Sequence, residues 1–332
     1  MTAYTQGQTR LAPGNRLGIA FDEGTNLPDA MLESHLYGWN VRLAPSMAVD
    51  GTGDDLRVVE IPGKYALLAD NPYEAGEVMV TGNDVTADYT IVQNEQVAEF
   101  LSDLVDVGQG EILPQAGGSY RNGTHCFLNL RRPEGVLIGG SDLVQQDLFA
   151  HWGHDGGTAL SVVAKSLRMF CTNQIGGMLG DKTAPKFKVR HVGLAHEGRL
   201  EEARRALQIM ATGQSEFEKI AEQWAATTVT NAKFDAIVET LLPTLSTMDV
   251  QPATATRRMT EQVTLREIYA GDPTHGTAWG ALNAWTEMGD WFGGHRDEQA
   301  RAFAQLHNVD LERRRRHGAS VVADLMNLTL AA

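Results

Sequence analysis

Apolar and polar positions change their spacing twice along this 332-residue chain. Residues 1–24 are polar and Gly-rich and read as an arm. Leu27 to Tyr37 then carries a short helical repeat behind Asn26, whose side chain suits an N-cap. From Asn40 to about Val80 the spacing drops to two, in NVRLAPSMAV, LRVVEI and KYALLAD, with Gly- and Pro-containing turns between. That alternation predicts two or three antiparallel strands. In NEQVAEFLSDLVDV, residues 94–107, Val97, Phe100, Leu101, Leu104 and Val105 fall on one helical face behind a second Asn cap. Alternation returns in EILPQAGGSY, THCFLNLRR, GVLIGG, DLVQQDLFAHW and TALSVVAKSLRMF, which predicts a meander packed on that helix.

After Gly198 the repeat is helical almost without interruption, through RLEEARRALQIMATGQSEFEKIAEQWAATTV and NAKFDAIVETLL to Pro243, which ends the helix. Thr244–Thr256, with Pro252 and several threonines, reads as a connection. MTEQVTLREIYAG, GTAWGALNAWTEMGDWF and a last helix from Glu298 toward Leu330 follow. Trp279, Leu282, Trp285 and Met288 recur at helical spacing and are assigned to the core rather than to a stacking platform. The expected fold is α+β: an antiparallel β-meander with packed helices in the N-terminal half and a helical C-terminal half. The domains expected are a polar arm over 1–24, an α+β core over 25–198 and a helical domain over 199–332. The boundary is a change of periodicity without a linker, so the last two should pack together.

Composition narrows the function. No apolar stretch is long enough to cross a bilayer and the N-terminus lacks the pattern of a signal peptide, so a soluble cytoplasmic protein is expected, without membrane contact. Two cysteines, Cys126 and Cys171, cannot build a disulfide framework or a four-cysteine zinc site, and read as reduced core thiols. Glycine pairs at 117–118, 139–140, 156–157 and 176–177 lack the Lys-Ser/Thr ending of a phosphate loop and open no βαβ unit. No cofactor and no catalytic residue is therefore expected.

Charge changes the picture most. The chain carries −14, yet Gly156–Arg199 holds seven cations against Asp181 and Glu197, a local +5 that leaves −19 elsewhere. A cationic strip on so anionic a protein points to a polyanion groove. Lys186, Lys188 and Arg190 alternate and would share one strand face, with Phe187 and Val189 turned inward. Their spacing of about 7 Å, two residues of strand rise, suits successive phosphates of an extended single strand. Lys165, Arg168, Lys182, Arg131 and Arg132 would extend the groove. A plain lysine-guarded edge is the competing reading. His151, His154 and Asp155, with His125, His191 or His196, could be metal ligands, but HDGG over 154–157 also makes a tight turn. Cys171 with a distant His could be a nucleophile pair, though a buried thiol suits its setting better. Arg313–Arg316 wrap around their helix, so some must face solvent, nucleic acid or acids of a neighbouring subunit.

Several segments together resemble the phage/plasmid-like protein family of unknown function, found in actinobacterial phages and plasmids. They are Leu36-Tyr-Gly-Trp39-Asn-Val41, Tyr89-Thr-Ile-Val-Gln93-Asn94, Ala116-Gly-Gly-Ser-Tyr-Arg-Asn-Gly123, His154-Asp-Gly156, Arg168-Met-Phe-Cys171-Thr-Asn173, Val189-Arg-His191 and Gly276-Thr-Ala-Trp279-Gly-Ala-Leu-Asn283. The element order is similar, by fold-level analogy, to phage single-strand annealing recombinases. That resemblance implies an ATP-independent single-stranded DNA-binding and annealing protein. It would work as a homo-oligomeric ring or filament, with a phage exonuclease as a further partner. A metal- or thiol-dependent enzyme around His151, His154, Asp155 and Cys171, and a structural phage protein without a nucleic-acid role, are the alternatives.

Overall fold

The alternating segments of the first half form two antiparallel sheets. The computed structural model describes residues 16–107, 112–132, 135–168, 186–189, 199–246 and 250–330. Within them the fold is α+β, with the sheets in the N-terminal half and helices through most of the C-terminal half. The smaller sheet is the hairpin ladder β2 (Arg42–Asp50), β3 (Arg57–Asp70), β4 (Val78–Val85). The larger has seven strands in the order β1 (Ile19–Ala20), β5 (Leu113–Tyr120), β6 (His125–Arg131), β8 (Asp142–Gly153), β9 (Leu160–Arg168), β10 (Lys186–Val189), with β7 (Val136–Ile138) on the start of β8.

One face of the large sheet makes the first core. Alternate residues Cys126, Leu128 and Leu130 of β6, Leu148, Ala150 and Trp152 of β8, and Leu160, Val162 and Ala164 of β9 are buried there. They pack with Val97, Phe100, Leu101 and Leu104 of α2 (Asn94–Val107) and with Ala203 and Ala206 of α3 (Arg199–Ala226). Asn26 caps α1 (Leu27–Glu33) by accepting from the Asp29 amide at 2.9 Å. Asn94 does not cap α2 as its position suggested. Its Oδ1 instead accepts from Trp152 Nε1 at 2.8 Å and lies 2.8 Å from His154 Nε2, while Gln96 Oε1 takes the Gln93 amide at the helix start.

The second core joins α3 to α4 (Asn231–Leu241), α5 (Pro252–Gly271), α6 (Ala278–Trp291) and α8 (Val309–Met326). Ile138 and Val144 of the sheet reach into it, and α3 contributes to both cores, so the two halves are knit together. Trp279, Leu282, Trp285 and Met288 are buried, as their spacing required. Two helix boundaries differ from those expected. Pro252 opens α5 at its first turn, where a missing N–H costs nothing, instead of sitting in a connection. The last helix is two: α7 (Glu298–His307) stops at Asn308, whose Oδ1 caps α8 by accepting from the Asp310 and Leu311 amides.

A bare ribbon projects from the small sheet. Among the described residues β4 pairs only with Tyr65–Asp70, so Arg57–Glu60 of β3 has Met47–Asp50 of β2 as its one partner there. Met47, Val49, Val58 and Val59 are each more than half exposed there.

Candidate nucleic-acid interface

The second face of the large sheet holds the candidate site. In an antiparallel ladder, residues in register share a face. The pairings Phe127↔His151↔Ser161↔Lys188, Asn129↔Phe149↔Val163↔Lys186 and Arg131↔Asp147↔Lys165 therefore lay three rows across β6, β8, β9 and β10. Tyr120 of β5 adds to this face opposite His125.

The rows bring rings together. Tyr120, His125 and His151 stack pairwise with centroids 5.2, 5.3 and 6.0 Å apart, and Phe127 stacks on Phe149 at 5.5 Å. Lys165 Nζ lies 4.6 Å over the Phe149 ring. Lys188 is exposed at the neighbouring edge strand, with Phe187 buried beneath it, as the alternation required. Phe303 of α7 meets Tyr120 edge-on at 5.4 Å, and Gly18 lies close against Phe127, where an added Cβ would come within 2.7 Å of the ring. This partial roof leaves Tyr120, His125 and His151 only partly covered.

The polar groups here are tuned by burial. The Tyr120 hydroxyl lies 2.7 Å from His151 Nε2, and burial pushes the phenol well above its usual range. Burial also lowers His125, against the pull of Asp155, whose Oδ2 is 3.9 Å from Nε2, and His125 Nδ1 is buried without a hydrogen-bond partner. Burial alone would raise Asp155, yet the Thr158 hydroxyl and the Gly157 and Thr158 amides that it accepts hold it below the ordinary carboxylate value. Those three bonds, with Gly156 at φ +85°, make residues 154–157 the tight turn that their sequence suggested.

The cations expected to form a groove are only partly assembled on this face. Arg131, Lys165 and Lys188 share it, while of Lys186 only the backbone pairing with Val163 is described. Arg131 is already committed to Asp147, with Nε to Oδ1 at 2.7 Å and Nη2 to Oδ2 at 3.0 Å, while Asn129 donates to the same carboxylate. Arg132 donates to Gln214 of α3 at 3.3 Å. Arg168 must be removed from any groove. It lies on the opposite face, fully buried, with Nε on Asp142 Oδ2 at 2.6 Å and Nη1 and Nη2 on Asp272 at 2.5 and 2.9 Å. Trp279 Nε1 donates to the same Asp142 oxygen at 2.6 Å. Lys182 and Arg190 fall outside the described residues.

The metal reading loses its geometry. His151 belongs to the ring face and His154 to the core side beside Asn94 and Trp39, so the two cannot converge on one ion. Among the described residues no three His, Cys, Asp or Glu side chains are placed to hold a metal. Cys126 is buried and its thiol pushed up by burial; Cys171 lies outside the described residues. Each arginine of the run at 313–316 has a contact within the chain, and Arg313 and Arg316 also face solvent. Arg313 pairs with Asp310, Arg315 with buried Asp290, Arg316 with Glu312, and Arg314 stacks on Trp285. The ring ladder itself was missed in the sequence, although pairing 125–131 with 147–153 as a hairpin would have placed these rings side by side.

Residues 83–310 match the model of a family described as a domain of unknown function, DUF932. The chain belongs to that family. No curated protein and no solved structure matches it. The ring face and the Arg168 cluster lie wholly inside the DUF932 segment, whereas β2 and β3 precede it.

Proposed function

We propose that this DUF932 protein is an ATP-independent single-stranded DNA-binding and annealing protein of phage recombination, acting as a homo-oligomer with an exonuclease as partner. The observation that carries the reading is the ring face: partly covered Tyr120, His125 and His151 stack on one another, His151 lies in the row that ends at exposed Lys188, and Lys165 is on the same sheet face. Single-strand binders combine such stacking surfaces with cations that follow the backbone, and stacking tolerates any base sequence. Lys165, Lys188 and Arg131 stand against Asp147, which Arg131 pairs with, and Asp155 beside His125, a small local cationic excess on a chain of net charge −14.

The test is fluorescence anisotropy of a labelled single-stranded oligonucleotide over a salt series, with its duplex alongside. Tight, salt-sensitive binding that favours the single strand is expected. Lys165→Ala and Lys188→Ala should each reduce the salt slope by about 0.7, the value for one single-strand phosphate contact. Tyr120→Leu should weaken binding by roughly 5- to 150-fold, the loss of one stacked base. Absence of binding at low salt, or a double lysine variant with an unchanged slope, would overturn the reading.

A further inference from the structure

The bare ribbon of β2 and β3 is an apolar surface with no cover among the described residues. Val49 is 65% exposed, and Met47, Val58 and Val59 are all above half. Leu56, Ile61, Val78 and Val80 of the small sheet are exposed as well. Exposed apolar residues gathered on one element mark an interaction surface. The edge of β2 is not the docking element, because Pro45 and the register shift between Pro45 and Met47 interrupt its free hydrogen-bonding row. The side-chain face is. In register, Met47, Val49 and Val58 share one side of the ribbon with Glu60.

A second uncovered surface lies on α5. Its inner side buries Leu265, Ile268 and Tyr269, yet Met259 and Val263 on the outer side are 62% and 53% exposed. Met259 and Val263, one turn apart, form a short apolar ridge on that outer side. The charges differ between the two surfaces. The ribbon carries Asp50, Asp55 and Glu60 against Arg57, whereas Arg257, Arg258 and Arg266 line α5 against Glu261 and Glu267. Two ribbons brought together would repel, and a ribbon on α5 would not.

We propose that the ribbon of one copy docks on the outer face of α5 of the next copy, with Met47, Val49 and Val58 on the Met259–Val263 ridge. Such a head-to-tail contact uses different surfaces on the two copies and so generates a ring or a filament. The contact gives the homo-oligomer of the preceding reading its interface, and its test is run without DNA so that failed assembly and failed DNA binding are read separately.

The experiment is light scattering behind size exclusion on the full chain over a concentration series, with Val49→Asp and Met259→Asp. Both sites are exposed, and a cooperative urea transition with native far-UV circular dichroism verifies that each variant folds. The wild type should run above monomer mass and each variant as monomer. An equimolar mixture should give a species of two chains and nothing larger, because the intact ribbon of Met259→Asp meets the intact helix of Val49→Asp only once. A monomeric wild type at the highest concentration would overturn the proposal, including one that instead binds lipid vesicles. So would variants of wild-type mass, or two monomeric variants that stay monomeric when mixed.

Discussion

Arg168 was counted among the cations of a groove because a charge tally along the chain is blind to burial. Its side chain is instead held between Asp142 and Asp272, one from the sheet and one from the turn before α6. Arg168→Ala would leave both carboxylates buried without their cation, at a cost of about 3–5 kcal/mol by urea denaturation. Single-strand affinity measured on the folded fraction should not change. His125 gives a pH signature. Its folded-state value lies below the ordinary 6.5, so the unfolded chain takes up the proton first and stability falls as pH drops through 6.5 toward that lower value. Asp155 acts in a separate window, because its stabilisation is complete above 3.8 and is lost only below. Urea midpoints at pH 7.5, 6 and 5 should therefore decline for the wild type, and the decline should flatten in His125→Phe.

Strands and helices were largely legible because their signals are local. Alternation fixed β5, β6, β8 and β9, and helical spacing fixed α2, α4 and α6. What escaped was any feature set by a partner distant in sequence. Asn94 reads as a cap, but Trp152 and His154 claim its side chain from 58 and 60 residues away. Asn308 splits one long repeat in two, a role that an Asn inside a polar helical stretch does not announce. Close packing between helices is equally invisible in the sequence. A Cβ on Gly318 of α8 would sit 2.0 Å from Trp285 Cδ1, and that indole is fixed by its bond to the Arg314 carbonyl. Gly318→Ala gains about 1 kcal/mol of helix propensity. Overpacking against a ring that cannot retreat costs up to about 3 kcal/mol and should outweigh it, for a net loss of about 1–2 kcal/mol by urea denaturation.

The candidate site was half visible: Lys165, Lys188 and Arg131 were in hand, whereas the rings became a surface only once β5, β6 and β8 were in register. The division at Arg199 marks the start of α3, but that helix serves both cores, so the halves are not separable pieces. The cluster of Arg168, Asp142 and Asp272 ties them further, and it has a consequence in time. Asp272 follows Arg168 by 104 residues, which synthesis at ~5–20 residues per second covers in about 5–20 s. For that interval a nascent chain presents the end of β9 with a guanidinium half matched, held by Asp142 alone. A chain stalled on the ribosome before residue 272 therefore lacks the group that completes its buried cation.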